Sequence, residues 1–579
     1  MARLFKFSNA IILTGAYLIV IGSLFFTATS TYQYCIQQAG FVKWSAPDEA
    51  ANYYFSKLYA ETGQFKSDNG VALPAAEIVR PRSFKNEGNL LLPVSFLGLP
   101  ILYGTIARLL VVEVLPFITP IIGILGLWFF FGLIKRVFNQ STGVVAATLA
   151  ATFPVFVYYS AKSMFHNVLF LSSIIIGTYF GFRALERRRD LVKNKKCRCL
   201  ALIALAISGL AFGWAIATRT SELLWLGPLL ILIIIAYFRE IGWYRWLWWA
   251  AWLMVALIPM ASWNLRLHGS WYGGGYPAMT NSVNTISQTS LGLFSWQSLV
   301  NGSVIVDKLN TLKDTIFYFG FWPKQSAIVF YHYAIAMFPW LMILAVVGVF
   351  LFIINRRQWS KDRWLFLISW LLASAFLIIY YGSWKFNDNP DPNRFTIGNS
   401  YTRYWLPIYF GALPWAAEAL RTIVRFLFRK QVARTVIVSI VAVICFYNLR
   451  FVAIGSEEGL LYTGQRQIED YQLLQGVLEK TEANSIIITK YQDKLFFPER
   501  QVIVGLFDDD NMNRYYGQIL EKHPLYYFNF RFNERDIKYL NERRLPPFGY
   551  RLEEVWSYEK FTLYRLVKIN QVDERGNKK

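Results

Sequence analysis

The sequence predicts a polytopic α-helical membrane protein with a small α/β domain at its carboxy-terminal end. Three observations predict it. Runs of about 20 apolar residues recur through positions 1–450. Basic residues gather in short loops on alternate sides of those runs. After Asn448 the pattern changes to short β-branched segments alternating with helix-like ones. At 55% hydrophobic and 17% charged, the 579-residue chain carries too little charge for a soluble protein of its length. A net charge of +22 would ordinarily suggest nucleic acid, but most of it sits in the short loops, as the positive-inside rule requires, so no nucleic-acid partner is expected.

The first apolar segment, Ala10 to Ala28, is longer than a signal-peptide core and lacks a small-residue cleavage site. It reads as a retained helix. Arg3 and Lys6 place the amino terminus in the cytoplasm and the loop 29–115 outside. The apolar stretch Leu90 to Leu115 carries Pro93, Pro100, Arg108 and Glu113. If it spanned, the basic cluster from Arg187 to Arg198 would fall outside, so it is assigned to the outer surface. Further spans are expected at roughly 116–134, 142–159, 164–182, 200–218, 221–238, 246–263, 331–354, 364–383, 402–420 and 435–450. With the first, that makes about eleven. Inside loops then hold Lys135 and Arg136, the basic loop 183–198, Arg239 and Arg245, Arg356 to Arg363, and Arg421 to Arg434. Outside lie 29–115, 264–330, 384–401 and everything after 451. The module 1–450 is thus an integral component of the cell membrane, and 451–579 an extracytoplasmic domain.

In that domain Asn484 to Thr489, Gln501 to Leu506, Leu525 to Phe532 and Val555 to Lys568 read as strands, with helices at Met512 to Lys522 and Asn533 to Arg543. No Gly-rich phosphate loop is present, and Asp508 to Asp510 reads as a solvated turn. Cys35 and Cys445 stand apart, and Cys197 and Cys199, two cysteines without partners, do not make a zinc site.

The chain is organised around Trp44 to Gly63. Pro47-Asp48-Glu49 sets two adjacent carboxylates just outside the first span, and Ala51, Tyr54, Phe55, Leu58 and Tyr59 recur as on a short surface helix. A cap explains the acids without chemistry: Ser45 with Asp48 resembles a capping box, and Gly63 ends the helix. Cations accumulate on the same side. They include Arg82 and Lys85, His166, Arg219 with Glu222 in Ala-Thr-Arg-Thr-Ser-Glu, His332, and Arg403-Tyr404 opening a late span. Snorkelling to lipid headgroups is the ordinary role of any one of them. Together with an acid they suit an anionic lipid-phosphate leaving group and a hydroxyl that must lose a proton. Arg219 has little room to be a loop residue, lying between two apolar helices. His166 and His332, at helix ends, are equally packing residues.

Pro47-Asp48-Glu49-Ala-x-x-Tyr53, with a glycine about 14 residues after Glu49, resembles the first outer loop of GT-C membrane glycosyltransferases. These include protein O-mannosyltransferases and lipid A aminoarabinose transferases. The non-spanning segment after that loop, Ala217-Thr-Arg219-Thr, and Arg403-Tyr404-x-Leu-Pro407 extend the resemblance over roughly 1–450. It implies transfer of a sugar, hexosyl or pentosyl, from a polyprenyl-phosphate donor to a protein, lipid or polysaccharide acceptor at the outer face. Asp48, with Glu49 as its alternative, is then the general base. Arg219 and Arg403, and also Lys85 or Arg82, hold the donor phosphate, and Tyr404, His166, Glu222 and His332 are candidate substrate contacts. Many relatives carry an acid between spans three and four, and some use it to help hold a metal. Here Tyr159 to Asn167 has no carboxylate, which argues against a bound divalent cation, and His166 is the residue able to stand in as a ligand. The alternatives are a flippase of lipid-linked sugars, and an assembly or receptor protein acting through its outer domain.

Overall fold

The computed structural model describes residues 2–37, 41–70, 76–186, 195–271, 273–275, 317–386, 388, 391, 393–455 and 458–569. The basic loop expected at 183–198 and the outside loops expected at 264–330 and 384–401 lie partly outside them. The chain forms two compact units. A helical unit comprises Met1–Tyr34, Phe96–Ile101 and Pro116–Thr463, and a sheet unit comprises Cys35–Ser95, Leu102–Leu115 and Gly464–Lys579.

Among the described residues of the chain, eight helices are long and apolar enough to cross a membrane, or up to ten if each of two bent pairs is one span. The protein is an integral membrane protein. Beside the expected count of about eleven, three of the expected spans differ in form. The span expected at 142–159 is two helices, Gln140–Ala151 and Pro154–Lys162, bent by 51°. The span expected at 331–354 is likewise broken, by 97°, where a π-helical turn over Tyr331–Ala336 meets Pro339–Ile354. At both breaks a proline opens the second helix, because its ring and missing N–H start a helix readily and continue one badly. The span expected at 402–420 becomes a short helix, Ser400–Tyr404, and a longer one, Leu406–Leu427. The longer helix is buried along most of its length. It carries an ion pair, Arg421 Nη1 to Glu418 Oε2 at 2.6 Å, to which Thr142 and Asn139 also donate. Pairing of the guanidinium with the carboxylate is what lets that helix bury charge.

The stretch Leu90 to Leu115 is not one continuous helix. It folds as a strand, Leu90–Pro93, and a 12-residue helix, Gly98–Leu109, which at 1.5 Å per residue reaches only about 18 Å. Elsewhere in the helical unit, Gly209 and Gly213 let the helix Lys195–Thr218 approach Trp243–His268 closely: a Cβ at either would strike the Trp249 or Leu253 carbonyl.

In the sheet unit β1 (Ser67–Asp68), β2 (Phe84–Glu87) and β3 (Leu90–Pro93) form a small antiparallel sheet in the order β1-β3-β2. Gly88 and Asn89, both at positive φ, close the β2–β3 hairpin in the sense that matches strand twist. A second sheet holds β4 (Ile486–Thr489), β5 (Gln501–Val504), β6 (Leu525–Phe530), β7 (Tyr550–Tyr558) and β8 (Phe561–Lys568) in the order β5-β4-β6-β8-β7. β4 is parallel to both neighbours and wholly buried, the usual state of a parallel central strand. The strand expected over Val555 to Lys568 is instead a hairpin, turning at Glu559 with φ 49°. Val79 is packed into the core of this second sheet beside Ile486, Ile488 and Ile503. A further helix, Leu460–Lys480, precedes β4 and was not among the expected elements.

Candidate active-site residues

In the sheet unit the helix Pro47–Thr62 starts on Ala46, not Ser45, and it is Glu49 that reaches back to cap it. The Ala46 N–H donates to Glu49 Oε2 at 3.0 Å and the Ser45 hydroxyl to the same oxygen at 3.4 Å. Glu49 is fully buried in this arrangement, which is the acid half of a capping box. Gly63, at φ 71°, ends the helix, its N–H donating to the Tyr59 carbonyl at 2.9 Å. Asp48 stays half-buried in the first turn and accepts a hydrogen bond from the Ser83 hydroxyl at 2.7 Å.

Arg82 and Lys85, expected on the donor phosphate, have partners within the sheet unit. Arg82 binds Asp493 through its backbone N–H at 2.8 Å, Nε at 3.1 Å and Nη2 at 2.6 Å, and Asp493 is completely buried. Lys85 Nζ donates to Glu87 at 2.7 Å on the surface. Two further ionisable groups of this unit are displaced from their ordinary values. Burial pushes the Lys43 amine down, against the pull of Glu499, and burial pushes the Asp470 carboxyl up, against Arg466 and Lys494.

In the helical unit Arg219 sits where Lys195–Thr218 ends and the next helix, Leu223–Ile241, begins. Gly98 lies against the backbone of Ala217 and Thr218, where a side chain would collide. Arg219 Nε donates to Glu222 Oε1 at 2.9 Å and Nη2 to the Tyr381 hydroxyl at 3.1 Å. Glu222 also accepts from Tyr381 at 2.5 Å and from Trp225 at 2.5 Å. Arg219 and Glu222 are both buried, so Glu222 is a partner of the arginine within a closed network. The Arg219 guanidinium lies 4.6 Å from the Tyr404 ring centre and 5.8 Å from Phe96. Arg403 reaches the same ring at 5.1 Å, covers Phe165 at 4.6 Å and donates to Ser400 at 2.9 Å. The sequence-predicted Arg219, Arg403, Tyr404 and Glu222 thus come together. His166 binds the Phe96 carbonyl through Nε2 at 3.1 Å, which ties it to the same cluster. His332 stacks flat on Phe395 at 3.8 Å.

Sequence reasoning missed Tyr381, Ser83 and Asp493. Tyr381 is one aromatic among many in an apolar helix, and nothing local marks the other two. Among the described residues, no group of three or more His, Cys, Asp or Glu is placed to hold a metal ion.

Residues 111–263 match the family model described as dolichyl-phosphate-mannose-protein mannosyltransferase. Among solved structures, the Archaeoglobus fulgidus oligosaccharyltransferase in complex with Zn and sulfate is 13% identical, with a TM-score of 0.53 over 95% of this chain and 72% of that one. ArnT from Cupriavidus metallidurans bound to undecaprenyl phosphate is 9% identical, with a TM-score of 0.54 over 96% of this chain and 98% of that one. The fold is that of the GT-C membrane glycosyltransferases. The resemblance to these glycosyltransferases thus has a match in the fold and, over residues 111–263, in the family model. No curated protein is significantly similar to the chain in sequence.

Proposed function

We propose that this GT-C chain transfers a sugar from a polyprenyl-phosphate donor to an acceptor hydroxyl at the outer membrane face, with inversion. The acceptor O–H gives its proton to the Asp48 carboxylate as its oxygen bonds to the anomeric carbon. The bond from that carbon to the phosphate oxygen breaks on the opposite face, and polyprenyl phosphate leaves with the electron pair. Arg219 and Arg403 neutralise the charge that develops on it. Asp48 is preferred to Glu49 because Glu49 is buried as the cap of its own helix. Arg219 and Arg403 are preferred to Arg82 and Lys85 because they share the Tyr404 ring, whereas Arg82 is held by the buried Asp493 and Lys85 by Glu87.

The observation that carries this reading is the convergence of two guanidinium groups, Arg219 and Arg403, on one ring, Tyr404, in a chain with this fold. Similarity to a structure holding undecaprenyl phosphate supports the donor class, and one holding a tethered acceptor peptide (the archaeal oligosaccharyltransferase, TM-score 0.51) makes proteins one acceptor class to test.

The two bent helix pairs favour one second reading, since broken helices also mark transporters of lipid-linked sugars. Purified protein incubated with a panel of polyprenyl-phosphate sugars separates the two. Release of free polyprenyl phosphate, read by mass spectrometry, is expected of the transferase. Movement of the intact donor across liposomes without release is the transporter's result and would overturn the proposal.

A further inference from the structure

We infer that Ser83 is a positioning residue for Asp48, held in place by the Arg82–Asp493 pair, so that the carboxy-terminal sheet sets the orientation of the base. The inference rests on the reading of Asp48 as general base, and all of its residues belong to the sheet unit.

The Ser83 hydroxyl donates to one oxygen of Asp48 at 2.7 Å. A short side chain in the first turn of a helix has several rotamers open to it, and a fixed donor selects one. Ser83 has φ 64°, a left-handed backbone that serine rarely adopts, so something must hold it there. Both chain neighbours do. Before it, Arg82 uses its backbone N–H on one Asp493 oxygen and its guanidinium on the other. After it, Phe84 is 1% exposed and begins β2. Its ring packs 5.4 Å from Tyr54 and 4.9 Å from Phe55, both on the helix that carries Asp48, and 5.1 Å from Phe497.

Asp493 is fully buried at the end of the turn that follows β4, a position 411 residues from Arg82. A buried carboxylate needs its cation, so the pair fixes residue 82 with little latitude. The order of dependence runs from β4 through Asp493 and Arg82 to Ser83, and from Ser83 to the base. A displacement of about 1 Å in a catalytic group lowers rates by up to about a hundredfold, which is the scale a lost positioning contact should show.

The test compares Ser83→Gly, Ser83→Asn, Asp493→Asn and Asp48→Asn in the full-length detergent-solubilised protein, with polyprenyl-phosphate sugar as donor. Ser83→Gly accepts the left-handed backbone and removes only the hydroxyl. It should lower kcat about ten- to a hundredfold, leave the donor KM and the melting temperature near wild type, and thereby differ from a structural lesion. Ser83→Asn tolerates the same backbone and restores a donor, so it should recover part of the rate. Asp493→Asn, if it folds, should show the kcat loss of Ser83→Gly. Wild-type kcat in Ser83→Gly, with Asp48→Asn inactive, would overturn the positioning role and leave the base assignment standing. Wild-type kcat in Asp48→Asn would instead remove the base assignment on which the role depends. A Ser83→Asn protein as slow as Ser83→Gly would also contradict it.

Discussion

The Arg219 guanidinium lies 4.6 Å from the centre of the Tyr404 ring while its own hydrogen bonds run to Glu222 and Tyr381. One side chain therefore carries both a structural ion pair and the charge proposed for the donor phosphate. Arg219→Lys keeps a cation but loses the planar fork, and it should lower kcat/KM for the donor by about a hundredfold. Arg219→Ala should in addition destabilise the fold by roughly 3–5 kcal/mol, because Glu222 is left buried without its cation. Donor kinetics and detergent melting curves measured on both variants separate the two effects.

Glu49 and Asp48 adjoin in sequence but differ in role. Glu49→Gln retains an acceptor for the Ala46 N–H and should keep near-normal turnover. Glu49→Ala loses the cap and should lower stability by about 1 kcal/mol. Loss of turnover in a normally melting Glu49→Gln protein would transfer the base role to Glu49.

Asp470 gives a stability signature that depends on pH. Burial raises its carboxyl pKa above the ordinary 3.8. Between that value and the raised one, the folded state binds more protons than the unfolded state, so stability falls as pH rises through the window and stays lower at neutrality. Asp470→Asn should therefore melt above wild type at pH 7, with the difference disappearing below the ordinary 3.8. A difference that is the same at both pH values would contradict this origin.

Gly213 faces the Leu253 carbonyl and Ala256 across a close helix contact. Gly213→Leu should force the two helices apart and destabilise the protein by about 1–3 kcal/mol, seen as a lower melting temperature in detergent.

Much of this fold was legible in the residues. Long apolar runs announce helices, and Pro47 with Gly63 brackets the helix bearing Asp48 to within a residue or two. β4, β5 and β6 follow from short β-branched and aromatic runs. The broken spans were harder, because a proline inside an apolar run reads alike whether it kinks a helix or starts another. The β7–β8 turn lacks the Gly or Asn that normally marks a hairpin, since Glu559 itself takes the positive φ. Among the candidate residues, Arg219 and Glu222 were legible because they are three apart on one short turn. Arg82 was not, since its partner Asp493 lies 411 residues away. Ser83 was illegible for a different reason: serine gives no sign of a left-handed backbone.

The measurement that bears most directly on the account is single-turnover release of polyprenyl phosphate by wild type beside Asp48→Asn, with melting curves of both. The account predicts that the variant binds donor and melts as wild type does but reacts about 10²–10⁴-fold more slowly, the usual scale for loss of a general base. Equal rates from equally folded proteins would contradict it.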